Sequence, residues 1–230
     1  MQWNIICDFD GTIALQDTTD LVLSAYALPE WEIIEQQWKQ GAIGSAECMR
    51  AQVELIEART SELDALLDSV QIDPYFAGFV EFCKQHHLPL LVASDGVDYF
   101  IHRILSRHGL DYLPLRANKL VAKQGGGFTL EFPHKEAGCA TQSGNCKCAL
   151  AGAPRVQNLL IGDGQSDFCL AHQVDFTLAK TKLLEYCRRY NLRHAGFDDF
   201  RDVQMMVSRL INEPKIETVT AATVPSYATI

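Results

Sequence analysis

Three short apolar runs in this chain each break off into a polar cluster, and that pattern constrains the fold more than any other feature. Trp3 to Phe9 runs into Asp8-Phe9-Asp10-Gly11-Thr12, Leu88 to Ala93 ends at Ser94-Asp95-Gly96, and Val156 to Ile161 ends at Gly162-Asp163-Gly164. Brief apolar runs bounded by such turn signals read as buried strands. A helical pattern through Phe79 and Phe82 precedes the second run, helices are expected over Val97 to His108 and Ser166 to His172, and Val174 to Leu178 reads as a last short strand. Strands alternating with helices predict an α/β fold with a doubly wound parallel sheet, in which right-handed crossovers bring the C-terminal strand ends to one edge.

Between the first and second runs the periodicity is helical throughout, with apolar positions at Leu21, Val22 and Ala25, then Ile33, Ile34 and Trp38, then Cys48, Val53, Leu55 and Ile56. This predicts a helical cap over 14–75 inserted into a core formed by 1–13 and 76–216. Trp31 and Trp38, on one cap helix, are expected to pack the cap. Leu113 to Leu120 and Phe128 to Phe132 flank Gly125-Gly126-Gly127 and read as a hairpin. The segment 217–230, rich in Thr, Ala and Val, shows no pattern and is expected to fray.

A formal charge of -9 argues against a nucleic-acid or anionic-membrane partner, since phosphate-backbone binding needs clustered Lys and Arg. No apolar run is long enough to cross a bilayer, and Met1-Gln2-Trp3-Asn4 leads straight into a strand, so a cytoplasmic protein is expected. Of eight cysteines, Cys7, Cys48, Cys83, Cys169 and Cys187 fall in core segments and read as small buried hydrophobes. Cys139, Cys146 and Cys148 share a loop with His134; the spacing lacks paired Cys-x-x-Cys knuckles, which favours a packed, reduced loop over zinc. His86, His87, His102 and His108 read as surface or capping residues. Monomer and homodimer are both compatible with the sequence.

The polar strand ends carry the chemistry. Asp8, Asp10, Asp163 and Asp167 on one sheet edge would repel one another without a cation, and hard oxygen ligands of this kind suit Mg²⁺. The same edge offers what phosphoryl transfer requires: a carboxylate nucleophile, a hydroxyl on Ser94, N–H groups where a helix opens, and Lys147 as countercharge. Taken alone, Asp-x-Asp-Gly is more often a strand ending in a turn. Its order with Ser94, Lys147 and Gly-Asp-Gly-x-x-Asp is far more specific.

Asp8-Phe9-Asp10-Gly11-Thr12-Ile13, Ser94, Lys147 and Gly162-Asp163-Gly164-Gln165-Ser166-Asp167 resemble, in order and spacing, the four motifs of the haloacid dehalogenase superfamily. The resemblance implies a three-layer Rossmann-like core with a cap, and a phosphomonoesterase in which Asp8 attacks phosphorus to form an aspartyl-phosphate. It also implies that Asp10 protonates the leaving alcohol and then activates water. Asp8, the backbone carbonyl of Asp10 and Asp163 would hold Mg²⁺ with Asp167 as an additional ligand, while Ser94, Asp95, Gly96 and Lys147 would face the phosphate.

The cap's place in the chain is similar to that of the phosphoserine-phosphatase-like subgroup, which implies a small phosphorylated metabolite as partner. Within it, Phe132-Pro133-His134, Cys139 and Asn145-Cys146-Lys147-Cys148 resemble methionine-salvage phosphatases acting on 2-hydroxy-3-keto-5-methylthiopentenyl-1-phosphate. Ser94-Asp95-Gly96 and Asp167-Phe168-Cys169 resemble phosphoethanolamine and phosphocholine phosphatases instead. Asp17, Asp20 and Asp95 are therefore candidates for substrate selection: an Asp95 side chain facing the pocket would favour amine-bearing esters, and one turned away would favour the salvage substrate. A non-catalytic ligand-binding relative and a mutase-like enzyme are the rival readings.

Overall fold

The computed structural model describes residues 2–139, 141–151 and 156–212. Its sheet has seven strands: β1 (Gln2–Cys7), β2 (Leu90–Val97), β3 (Leu115–Ala122), β4 (Phe128–Glu131), β5 (Val156–Gly162), β6 (Phe176–Ala179) and β7 (His194–Gly196). Their order is β4-β3-β2-β1-β5-β6-β7, parallel except for β4, which pairs antiparallel with β3 at one edge. Chain order reverses at β1, flanked by β2 on one side and β5 on the other, and a crevice opens at such a switch point. Cys7 pairs with Val92 and with Ile161, so the polar residues that follow all three strands emerge nearly level.

Along β1, Ile5 and Cys7 belong to one buried cluster and Ile6 to another on the opposite face, the alternation a strand covered on both sides requires. Helices α5 (Phe76–Gln85) and α9 (Phe200–Asn212) cover the first face. Phe200 meets Phe76 edge-on at 4.9 Å and Phe79 at 5.4 Å between ring centroids. On the second face, Leu183 and Cys187 of α8 (Thr181–Arg189) pack with Leu160 and Ala179.

Several boundaries differ from the sequence reading. β2 continues past Ala93 through Val97, with its register against β3 shifting over that stretch, and α6 covers Asp98–Ser106. The helix expected from Ser166 is a 3₁₀ turn, Gln165–Asp167, followed by the single-turn α7 (Phe168–Ala171). β6 is not the last strand: α8, β7 and α9 follow it, and β7 is three residues without an apolar run. The hairpin forms between β3 and β4, with Gly125, Gly126 and Gly127 all at positive φ. The segment 217–230 lies outside the described residues.

Four helices lie between β1 and α5: α1 (Thr18–Tyr26), α2 (Trp31–Lys39), α3 (Ser45–Val53) and α4 (Thr60–Leu67). Val22, Leu23, Val53, Leu63 and Leu67 bury their apolar sides in the main core, whereas α2 buries no residue fully. Trp31 packs against that core partly buried. The Arg50 Nε on α3 donates to the Leu130 carbonyl at 3.2 Å, and its guanidinium lies 4.7 Å over the Phe132 ring. On the other flank, Arg103 of α6 forks onto Asp68 at 2.7 and 2.8 Å, and the Tyr99 hydroxyl donates to Asp64 at 2.6 Å. The helical segment is thus fastened on two sides beside the strand ends.

Candidate active site

Just past β1 the chain keeps its alternation: Phe9 turns into the core, fully buried, so Asp8 and Asp10 fall on the opposite side together. The Phe9 carbonyl accepts N–H groups from Thr12, Ile13 and Ala14 at 2.8 to 3.2 Å, which turns the chain sharply. Gly11 occupies this turn at φ 67°, and a Cβ there would lie 2.7 Å from an oxygen of Asp163. Glycine is what allows Asp163 to approach.

Asp8, Asp163 and Asp167 bring carboxylate oxygens within 4.8 Å of one another, the sole such group of three metal-capable side chains among the described residues. Lys147, 3% exposed, reaches them from the loop before β5. Its Nζ lies 2.8 Å from Asp8 Oδ1, 2.7 Å from Asp167 Oδ1 and 3.2 Å from Ser166 Oγ. Burial and then the charge of Asp167 raise the Asp8 carboxyl well above the usual range, and the same two causes raise Asp163. Burial would lower Lys147, but Asp167 and Asp8 more than offset this and hold it charged. Lys180 and Lys147 both lower Asp163, yet three close carboxylates against these two lysines still leave excess negative charge.

Asp10 sits in a different environment. Its Oδ1 accepts the Thr18 N–H at 2.8 Å and the Thr18 hydroxyl, and Oδ2 accepts the Ser94 hydroxyl at 3.3 Å. Burial, then the charge of Asp17, pushes this carboxyl up to about 7 despite those donors. Ser94 is buried, and its Oγ also accepts the Gly96 N–H at 2.9 Å. A Cβ on Gly96 would stand 2.6 Å from Asp10 Oδ2 and 3.0 Å from Ser94 Oγ. Gly96→Ala should therefore displace both groups while the core stays intact, lowering kcat/KM by about 10²-fold with little change in Tm. An activity within a fewfold of wild type would mean that neither displaced group matters.

The family model described as haloacid dehalogenase-like hydrolase matches residues 5–172. The chain belongs to this family. Among curated relatives of this hydrolase, the 2-hydroxy-3-keto-5-methylthiopentenyl-1-phosphate phosphatase of Geobacillus thermodenitrificans is 30% identical over 217 residues, covering 90% of this chain and 96% of that protein. The enzyme of the same name from Brevibacillus brevis is 28% identical over 215 residues, covering 91% and 96%. Among solved structures, a phospho-aspartyl intermediate analogue of phosphoserine phosphatase superposes with a TM-score of 0.65 at 18% identity, covering 90% of this chain and 99% of that one. That likeness shows the fold. No helix among the described residues is long and apolar enough to cross a membrane.

In this haloacid dehalogenase-like hydrolase, Asp8, Asp10, Ser94, Gly96, Lys147, Asp163 and Asp167 converge at the switch point, whereas Asp17 and Asp20 lie exposed at the start of α1. Asp17 caps that helix, accepting the Asp20 N–H at 2.9 Å. The Asp95 carboxylate is turned onto Ser45, Ser143 and Asn145. All eight cysteines are free, with Cys146 buried and Cys139 and Cys148 partly so. Sequence reasoning missed Thr18, Ser143 and Asn145. Thr18 had a signal: it opens α1, where helix N–H groups lack intrahelical acceptors and suit a carboxylate. Nothing in the sequence pairs Asn145 with Ser94.

Proposed function

We propose that this family phosphatase hydrolyses a small phosphomonoester by nucleophilic attack of Asp8, and that its substrate is 2-hydroxy-3-keto-5-methylthiopentenyl-1-phosphate. The observation that carries the chemistry is the contrast between two carboxylates on one turn. Asp8 is paired with Lys147 at 2.8 Å, while Asp10 stands apart with its carboxyl pushed up to about 7. Phosphomonoester cleavage needs an ionised carboxylate for attack and a protonated acid beside it, and the lysine partner marks Asp8 for the first role while the neutral donors around Asp10 suit the second.

Burial and Asp167 raise Asp8, the wrong direction for a nucleophile, and Lys147 does not offset them. The donor set therefore fits a divalent cation: three hard carboxylates in mutual reach, carrying more charge than Lys147 and Lys180 neutralise. Asp8, Asp163 and Asp167, with the backbone carbonyl of Asp10, would hold Mg²⁺, which supplies charge neutralisation for the phosphate and for Asp8.

In the first step an Asp8 oxygen attacks phosphorus, the ester P–O bond breaks, and the Asp10 proton passes to the departing oxygen. Ser94 and Lys147 hold the non-bridging oxygens. In the second, Asp10, now ionised, takes a proton from the water that attacks the phosphorus of the aspartyl-phosphate, releasing phosphate and Asp8. Residues 14–75, as a cap beside these strand ends, would exclude bulk water during both steps.

The salvage-type substrate is supported by relatives of that name matching nine-tenths of the chain. An Asp95 carboxylate occupied by serine and amide donors is also poorly placed to receive a substrate amine. The test is kcat/KM for that enol phosphate, phosphoethanolamine and phosphoserine, with and without EDTA. The enol phosphate should lead by at least tenfold and EDTA should abolish all three activities; a lead for phosphoethanolamine would reverse the substrate assignment.

Asp10→Asn should separate the two carboxylates experimentally. Loss of a general acid is expected to cost about 10²- to 10³-fold on an alkyl ester such as phosphoethanolamine, and much less on p-nitrophenyl phosphate, whose leaving group needs little protonation. Equal losses on both would remove Asp10 from the acid role.

A further inference from the structure

Asp95 is an anion placed directly after the phosphate-facing Ser94, yet among the described residues no lysine or arginine forms a salt bridge with it. Neutral donors take up its carboxylate instead. Oδ1 accepts the Ser143 hydroxyl at 2.8 Å, the Asn145 N–H at 3.1 Å and the Asn118 amide at 3.4 Å, and Oδ2 accepts the Ser45 hydroxyl at 2.8 Å. Each carboxylate oxygen offers about two lone-pair sites, so Oδ1 is fully taken up by this set and Oδ2 is held by Ser45.

These donors come from three separate parts of the chain. Ser45 is the first residue of α3, Asn118 lies on β3, and Ser143 and Asn145 belong to the loop that ends at Lys147. Asn145 returns the connection: its side-chain amide donates to the Ser94 carbonyl at 2.8 Å and to the Arg116 carbonyl at 2.9 Å. Asn145 is 1% exposed, and at Gly144 a Cβ would collide with the Asn118 amide and the Phe132 ring, so the loop lies hard against this point. Two residues span at most about 7 Å, so holding Asn145 confines the backbone of Lys147 to that radius.

We infer that Asp95 is a positioning residue, tying the Lys147 loop and cap helix α3 to the Ser94 strand end and so setting where the phosphate's countercharge stands. This rests on the reading above that Lys147 and Ser94 bind the phosphate. The property Asp95 contributes is hydrogen-bond acceptance at a fixed point, and its negative charge is incidental. Asparagine can do most of the same work: its Oδ1 keeps Ser143 and the Asn145 N–H, and its Nδ2 donates to Ser45 Oγ, which can accept.

The test is Asp95→Ala against Asp95→Asn, reading KM and kcat on p-nitrophenyl phosphate and phosphoethanolamine, and inorganic phosphate binding by calorimetry in Mg²⁺. Asp95→Ala should raise KM and weaken phosphate binding roughly tenfold, equally on both substrates, and Asp95→Asn should recover all but about threefold of that loss. Unchanged phosphate binding in Asp95→Ala would overturn the inference. So would an Asp95→Asn variant as impaired as Asp95→Ala, or a loss confined to the amine-bearing substrate, which would make the charge a selector.

If Asp95→Ala does not fold, Ser143→Ala removes a single strut and should weaken phosphate binding about threefold at unchanged kcat; no weakening overturns the inference. Failure of the catalytic reading looks different, because wild type would then bind phosphate without hydrolysing any of the esters.

Discussion

Asp8→Asn should lower steady-state turnover by at least about 10³-fold on every phosphomonoester while leaving a chain that folds as well as wild type or better. The loss follows because an amide oxygen is not a competent nucleophile toward phosphorus, and Asp10, hydrogen-bonded to Thr18 and Ser94, is held away from that role. The stability expectation comes from the electrostatics. Burial and then Asp167 raise the folded-state carboxyl of Asp8, so its contribution favours folding at low pH and declines as pH rises through that raised value. At neutral pH an ionised Asp8 therefore costs stability, and asparagine removes the cost. Lys147 does not become an orphan, since Asp167 remains 2.7 Å away. Thermal denaturation at pH 7 in EDTA, alongside turnover, checks both halves. Turnover above trace level would end the aspartyl mechanism, and a large fall in Tm would mean that the Lys147–Asp8 pair outweighs the repulsion.

Much of this site was legible in the sequence because buried parallel strands are apolar along their whole length and stop abruptly where they meet solvent or ligand. Ile5 to Cys7, Leu90 to Ala93 and Leu159 to Ile161 announce themselves in that way, and the level register of β1 with β2 and β5 turns three separate strand ends into one crevice. What escaped the reading has no periodic signature. β7 is too short for a pattern, and α7 is a single turn after a 3₁₀ turn, where the gap between helix and loop is a matter of one hydrogen bond. The direction of the Asp95 carboxylate depends on Ser45 and Ser143, 50 and 48 residues away in the chain. Its position beside Ser94 placed it near the phosphate, but only tertiary contacts decide which way an anion turns. Thr18 lies between these cases: its role on Asp10 follows from a helix start placed beside a strand end, two features each visible in the sequence but related only by the fold.

Lys147→Met should produce the largest stability effect of any single change in the site, and one that Mg²⁺ and acid both relieve. The side chain is removed from between Asp8 and Asp167, all three being buried, and methionine fills the volume without the charge. Breaking a buried pair by deleting one partner costs about 3–5 kcal/mol, because the surviving charges are left uncompensated. For a chain of this size that corresponds to a fall in Tm of roughly 6–20 °C. Two independent routes should recover part of it. Millimolar Mg²⁺ would neutralise the same carboxylates, so the variant should gain more in Tm from the ion than wild type does. Lowering the pH acts in the same direction: Asp8 is raised in the folded chain, so protonating it removes the repulsion, and the deficit should be smaller at pH 5 than at pH 8. Catalysis should not follow stability, because restored carboxylate neutralisation does not restore a ligand for the phosphate; kcat/KM should remain about 10²-fold below wild type even at saturating Mg²⁺. A Tm deficit independent of both Mg²⁺ and pH would show that lysine and cation do not share the task of neutralising Asp8 and Asp167, and the case for a divalent ion at this site would lose its electrostatic basis.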